Sequence, residues 1–124
     1  MPYLTFARKV KEVSGKLRHF VKEKVSEGKK VYVYGASTRG NSLLQVAGLD
    51  YKLITGAAER NPTKYGKFTA GTKIPIVSEE EARKKADYFL ILPWFFAREF
   101  IEREKEFVER GGHLIFPLPK LEII

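Results

Sequence analysis

VYVYGASTRGNS, residues 31–42, runs an alternating Val/Tyr strand into a turn of small residues that breaks at Gly35 and opens a helix. A strand, a glycine turn and a helix in immediate succession form the opening unit of an α/β fold. The same turn sets several backbone N–H groups at a helix N-terminus, where the partial positive charge attracts anions. A tight strand-to-helix turn needs glycine in any α/β protein, so the turn alone does not fix a ligand.

Upstream, residues 4–27 place Phe6, Val10, Val13, Leu17, Phe20, Val21 and Val25 at three- and four-residue steps, the period of a long amphipathic helix that Gly28 ends. His19 falls on the flank of that stripe, and Gly15 weakens the middle by about 1 kcal/mol, so tertiary packing must hold the helix. Downstream, the spacing predicts a strand over about 30–34, a helix over about 38–48 closed by Gly48, and a second strand that begins near Tyr51 and runs through KLITGAA. The loop ERNPTKYGKFTAGTK follows, long enough to be functional or disordered. Next come the short extended IPIV and Ser78, which caps a helix with Glu80 and Glu81 in its first turn. YFLIL, apolar throughout, reads as a central strand covered on both faces. A helix over about 95–110 then carries Phe96, Phe100, Ile101, Phe107 and Val108 on one side, Gly111 and Gly112 stop it, and HLIFPLP supplies the last strand. The tail KLEII is too short to assign.

Strands alternating with helices specify a Rossmann-like open parallel sheet of about four strands with helices on both faces, behind a long N-terminal helix. We expect one domain over 1–124, with the helix in 1–28 and the α/β core in 29–119. Ligands of such sheets bind beyond the carboxyl ends of the strands, near the point where strand order reverses. Those ends hold Gly35–Asn41, Ala58–Lys64, Pro93–Phe96 and Pro117–Pro119, so the unusual residues gather on one rim.

Composition narrows the function. The chain has 124 residues, 44% hydrophobic and 13% aromatic, as a globular domain does. No apolar run is long enough to span a bilayer, and the first helix is studded with Lys and Arg rather than carrying a signal peptide's apolar core, which reads as a cytoplasmic chain. Without cysteine there are no disulfides or thiolate metal sites, and two isolated histidines, His19 and His113, do not build a zinc centre. The net charge of +8 concentrates in residues 8–30, where nine basic residues face three acidic ones, and around Arg60, Lys64, Lys67 and Lys73. Such a run steers nucleic acid or an anionic ligand, or is a solvated helix face.

The turn is neither of two well-known phosphate motifs. Its glycines at 35 and 40 have P-loop spacing, but Asn41 stands where the phosphate-reaching lysine belongs, which argues against nucleotide hydrolysis. Against the dinucleotide fingerprint, Ser37 replaces the middle glycine that admits a pyrophosphate, although Glu59 ends the second strand as an acid should. Ser37, Thr38, Asn41 and Ser42 remain able to hydrogen-bond a phosphate or sugar, with Arg39 as a forked donor. Trp94, beside Pro93, and Tyr65 in the long loop are stacking candidates, although an aromatic triplet at a strand end also belongs in a core. No nucleophile–base pair or spaced carboxylate pair is present, so no catalytic residue is expected.

GASTRGNSLLQVAGL, AERNPTKYGKFTAGTKIPI, DYFLILPWFF and GGHLIFPLP, in this order and at these distances, resemble the C-terminal domain of the sugar C-methyltransferases, over about residues 5–119. In that family a zinc-binding part and an S-adenosylmethionine-dependent methyltransferase domain precede a Rossmann-like C-terminal domain, and the substrate is a nucleotide-linked deoxysugar. The matching positions are Gly35, Ala36, Arg39, Gly40, Asn41, Ser42 and Leu43; Arg60, Asn61, Pro62, Lys64 and Gly66; Gly71, Thr72, Ile74, Pro75 and Ile76; and Pro93 and Trp94. The resemblance implies that these help hold a nucleotide-sugar against a methyltransferase domain or subunit. It also implies that this chain binds no cofactor by itself, S-adenosylmethionine and the catalytic base lying in the partner. Glu59, where the family tends to have aspartate, and Ala70, where it tends to have proline, are departures. Two other readings stand beside it: an NAD(P)- or coenzyme A-binding regulatory module, and a basic interaction or nucleic-acid-binding protein. Homodimerisation is a further expectation.

Overall fold

The structure, a computed structural model, describes residues 2–34, 44–45, 47–59, 65–69, 71–92, 97–116 and 122–124, with side chains from residue 11 onward and excepting that of residue 97. Helix α1 (Pro2–Ser26) opens the chain. Leu17 and Val21 pack against the sheet with Phe20 and Val25 beside them, and Val13, one turn earlier on the same stripe, is buried too. From Val13 to Val25 the amphipathic pattern is therefore a packing surface of this domain; the side chains of Phe6 and Val10 lie outside the described residues.

Six strands follow: β1 (Val31–Tyr34), β2 (Gly56–Glu59), β3 (Ile76–Ser78), β4 (Tyr88–Ile91), β5 (His113–Phe116) and β6 (Glu122–Ile123). Their order across the sheet is β3-β2-β1-β4-β5-β6, with all pairs parallel except β5–β6. Helices α2 (Glu79–Lys85), α3 (Ala97–Arg103) and α4 (Lys105–Glu109) complete the described elements. Among the described residues, no helix is long and apolar enough to cross a membrane.

Strand periodicity divides the core in two. Val31, Val33, Leu90 and Ile115 face α1 and the helical residues Leu44 and Ala47, whereas Tyr32, Tyr34, Phe89, Ile91 and Leu114 face Ala82, Phe100 and Phe107 from α2–α4. Both faces are covered, which is why β1 and β4 are buried at every position. The open parallel sheet with helices on both faces is thus as the sequence predicts.

Three details differ from expectation. The sheet has six strands rather than about four, because IPIV contributes β3 and the unassigned tail contributes β6. The second strand starts at Gly56, not near Tyr51: Asp50 accepts from Lys52 N through its carboxylate (2.9 Å) and from Ile54 N through its backbone (2.9 Å), turning 50–54 into a side-chain-stabilised turn. Finally, the helix expected over 95–110 is divided at Glu104 into α3 and α4, and Ile101 points outward, 37% exposed.

Helix ends follow the sequence closely. Ser78 Oγ accepts from Glu81 N at 3.1 Å, capping α2. At Gly48 (φ +71°) the chain turns left-handed, Leu49 N reaches Leu44 O (2.9 Å) and Gly48 N reaches Gln45 O (3.1 Å), a Schellman cap closed by the buried Leu44 and Leu49. Gly28 and Gly111 end their helices by the same pair of bonds.

Candidate functional site

Strand order reverses between β1 and β4: β2 and β3 lie to one side of β1, β4 and β5 to the other. Doubly wound sheets hold ligands at this switch point, because connections there depart to opposite faces and leave a crevice. The two carboxyl ends are directly adjacent. Tyr34 pairs in register with Ile91, and Leu92 N donates to Tyr34 O at 3.1 Å. The chain leaves Tyr34 into the glycine turn and leaves Leu92 into Pro93-Trp94. Glu59 ends β2, the other neighbour of β1, and is half-buried one residue beyond the Tyr34–Ala58 register pair.

Of the residues singled out from sequence, Gly35, Ser37, Thr38, Arg39, Gly40, Asn41, Ser42, Arg60, Asn61, Lys64, Pro93 and Trp94 lie outside the described residues. Glu59 is at the rim beside the switch point. Tyr65 is farther out. Gly66 N donates to Ile76 O (3.1 Å), Ile76 N to Lys67 O (2.8 Å), and Phe68 bridges Pro75, so the segment from Tyr65 runs along the outer edge of β3. At the usual strand spacing that edge lies about 14 Å from β1. Tyr65 is 37% exposed there. Thr69 Oγ1 accepts from Ile74 N (2.9 Å) and shares a hydrogen bond with Thr72 Oγ1, which fixes the turn between this segment and β3.

Beneath the rim lies a polar network that sequence reasoning missed. Glu104, 1% exposed, receives two parallel bonds from Arg83: Nε to Oε1 at 2.7 Å and Nη2 to Oε2 at 2.8 Å. Arg83 Nη2 also reaches Glu79 Oε1 (3.1 Å) and the Tyr34 hydroxyl (3.4 Å), and Arg103 Nη1 reaches the same hydroxyl (3.4 Å) while its guanidinium lies over the Phe100 ring. Burial, with a hydrogen bond to Glu79, pushes the Tyr34 phenol up to about 12. The Glu104 carboxylate beside it raises the already basic Arg83 further. Every member is engaged by another, so the network is a clamp rather than a reacting centre. It binds the last residue of β1 to α2, α3 and the start of α4, and so fixes the point from which the glycine turn departs.

Fold and strand ends together define a Rossmann-like, doubly wound domain with a single switch point at the β1/β4 ends. Residues 1–119 match the family described as the C-methyltransferase C-terminal domain. The chain is also 40% identical, over 123 residues, to the C-methyltransferase NovU of Streptomyces niveus, an alignment that takes in 98% of this chain and 29% of that protein. This chain therefore belongs to the C-methyltransferase C-terminal domain family, as its motifs indicate. It spans less than a third of the relative's length.

Proposed function

We propose that this domain holds a nucleotide-linked sugar, or a related phosphorylated small molecule, at the β1/β4 switch point for methyl transfer by a separate domain or subunit. The observation that carries the proposal is the placement of the strand reversal: the two adjacent strand ends, joined by the Leu92–Tyr34 bond, are the ones followed by the glycine turn and by Pro93-Trp94. Family membership supports it, since the matched relative is a C-methyltransferase of which this chain corresponds to one part.

In this reading Gly35 to Ser42 receive the diphosphate through backbone N–H groups, the Ser37, Thr38 and Ser42 hydroxyls and Arg39, while Arg60, Asn61 and Lys64 close on it from the β2 side. Glu59 accepts a sugar hydroxyl, and Trp94 offers a ring for stacking. Tyr65, out at the β3 edge, contacts only a ligand extended across β2. S-adenosylmethionine supplies the methyl group from the partner; the role of this chain's residues is to bind and orient the acceptor.

Calorimetric titration of the whole chain with dTDP- and UDP-sugars tests the reading. Saturable binding is expected, weakened by about 1.5–3 kcal/mol in Arg39→Gln or Lys64→Gln if each removes one charge-assisted contact. No heat with any nucleoside diphosphate up to millimolar concentration would overturn it.

A further inference from the structure

We propose that the amino ends of β2 and β3 carry a self-association surface, on which a second copy of this chain docks through Tyr51, Phe68 and Lys73. These three residues line a cavity of about 460 Å³. Phe68, 65% exposed, and Tyr51, 54% exposed, are the two most exposed large hydrophobic side chains among the described residues, and both face that one cavity. Exposed apolar groups scattered singly need no explanation, but a pair gathered at one concave place marks a contact surface. The cavity lies at the end of the sheet opposite the switch point. Tyr51 precedes β2, Lys73 precedes β3, and Phe68 bridges Pro75 just before β3 begins. The surface is therefore separate from the strand-end site, and both are open to use at once.

The backbone holds this surface ready. Tyr51 N donates to Thr72 O (3.0 Å), Lys73 N to Thr69 O (2.9 Å) and Thr69 N to Ile74 O (2.9 Å), so the residues that carry the three side chains belong to one hydrogen-bonded unit. Within it Lys73 takes φ +53°, a left-handed conformation that a lysine adopts only when its surroundings impose it. A preformed surface loses little conformational freedom on binding. The occupant follows from what the patch leaves unmatched. Among the described residues, neither the Tyr51 nor the Phe68 ring stacks on another ring, and Lys73 meets no carboxylate and lies over no ring. A two-fold contact supplies each missing half from the same patch, because it sets residue i on j and j on i. Phe68 of each copy enters the cavity of the other, and each Lys73 ammonium comes over an aromatic face of the second copy. The patch thus contains both a projecting ring and the hollow that receives one. Each copy carries a net charge of +8, so mutual repulsion opposes the contact and its attraction is apolar and cation–π, not ion-paired.

Sedimentation velocity and light scattering of the whole chain, from micromolar to millimolar concentration, test the surface. The wild type is expected to pass from monomer to dimer, and the dimer to hold or tighten as added salt screens the repulsion between copies. Phe68→Ala and Tyr51→Ala should each weaken it about tenfold or more, as removal of an aromatic anchor does. Lys73→Gln should weaken it as well, whereas Lys73→Arg, which keeps a cation over the ring, should restore it. All three side chains are exposed, so the variants should keep a folded circular-dichroism spectrum at the wild-type signal, which separates a lost contact from a lost fold. Ile101→Ala removes an exposed apolar side chain from α3 and should leave the dimer unchanged. The proposal is overturned by a wild-type chain that stays monomeric throughout, or by Phe68→Ala and Tyr51→Ala variants that dimerise as the wild type does. It is equally overturned by a dimer that salt dissolves, or by one that Ile101→Ala weakens as much as Phe68→Ala.

Discussion

Glu104 shows how far one residue departs from its composition class. An acid with its side chain fully enclosed is tolerated because Arg83 meets it with two donors in a planar fork. The consequences of breaking the pair are asymmetric. Arg83→Ala strands the carboxylate in the core and should cost about 3–5 kcal/mol, whereas replacing both partners with apolar residues, Arg83→Met with Glu104→Leu, should come much closer to neutral; urea unfolding of the single and double variants measures the difference. Tyr34 gives the network a pH signature. Its phenol titrates near 12 in the fold and near 10 when unfolded, so above pH 10 the unfolded chain releases its proton first and stability falls as pH rises from 10 to 12. Tyr34→Phe should remove that part of the alkaline decline in a stability-versus-pH series, and an unchanged slope would contradict the assignment. The sequence did hold a signal for Glu104. With Phe100, Phe107 and Val108 it continues the three- and four-residue steps of the apolar stripe, and a lone acid in such a stripe points to a buried partner. Nothing in the sequence identifies Arg83, twenty-one residues upstream, as that partner.

Among the elements, the caps were the most legible features, because they depend on residue type at fixed offsets. Ser78 lies outside any apolar pattern, yet its hydroxyl closes α2, and Ser78→Ala should cost about 1 kcal/mol in thermal or urea unfolding. Gly15 offers the opposite case: it has helical surroundings and free space for a methyl group, so Gly15→Ala should raise stability by about 0.5–1 kcal/mol. Strand starts were harder. Leu53 and Ile54 are apolar and continuous with GAAE, and no period separates a turn that fills the core from the strand that follows it; only Asp50, through its hydrogen bonds, marks the difference. β3 and β6 have three and two residues, too few to display alternation at all. They exist because a longer neighbour offers them a ladder.

For the whole molecule, the alternation of strand and helix was enough to give the class of fold and the rim on which to look, but not the order of strands. Order depends on which pairs of faces fit, and the switch point between β1 and β4 became visible only with the sheet itself. Likewise Glu59 and Tyr65 both read as site residues, although the segment from Tyr65 hugs the β3 edge whereas Glu59 ends β2 beside the switch. α1 is integral to this architecture. Leu17 is fully enclosed between it and the sheet, and Leu17→Ala should cost about 2–5 kcal/mol, read as a lower urea midpoint. The two flanks of the sheet carry a last consequence. On one side Gly66, Lys67 and Phe68 occupy the backbone of β3; on the other, Leu114 and Ile124 exchange both of their bonds, so a two-residue strand shields β5. Sheets recruit foreign chains by leaving a long open row of amides and carbonyls at an edge. Here the outermost pairing on each flank is short, a two-residue strand at β6 and the Phe68–Pro75 bridge beside β3, so among the described residues neither edge offers a long row to a foreign strand.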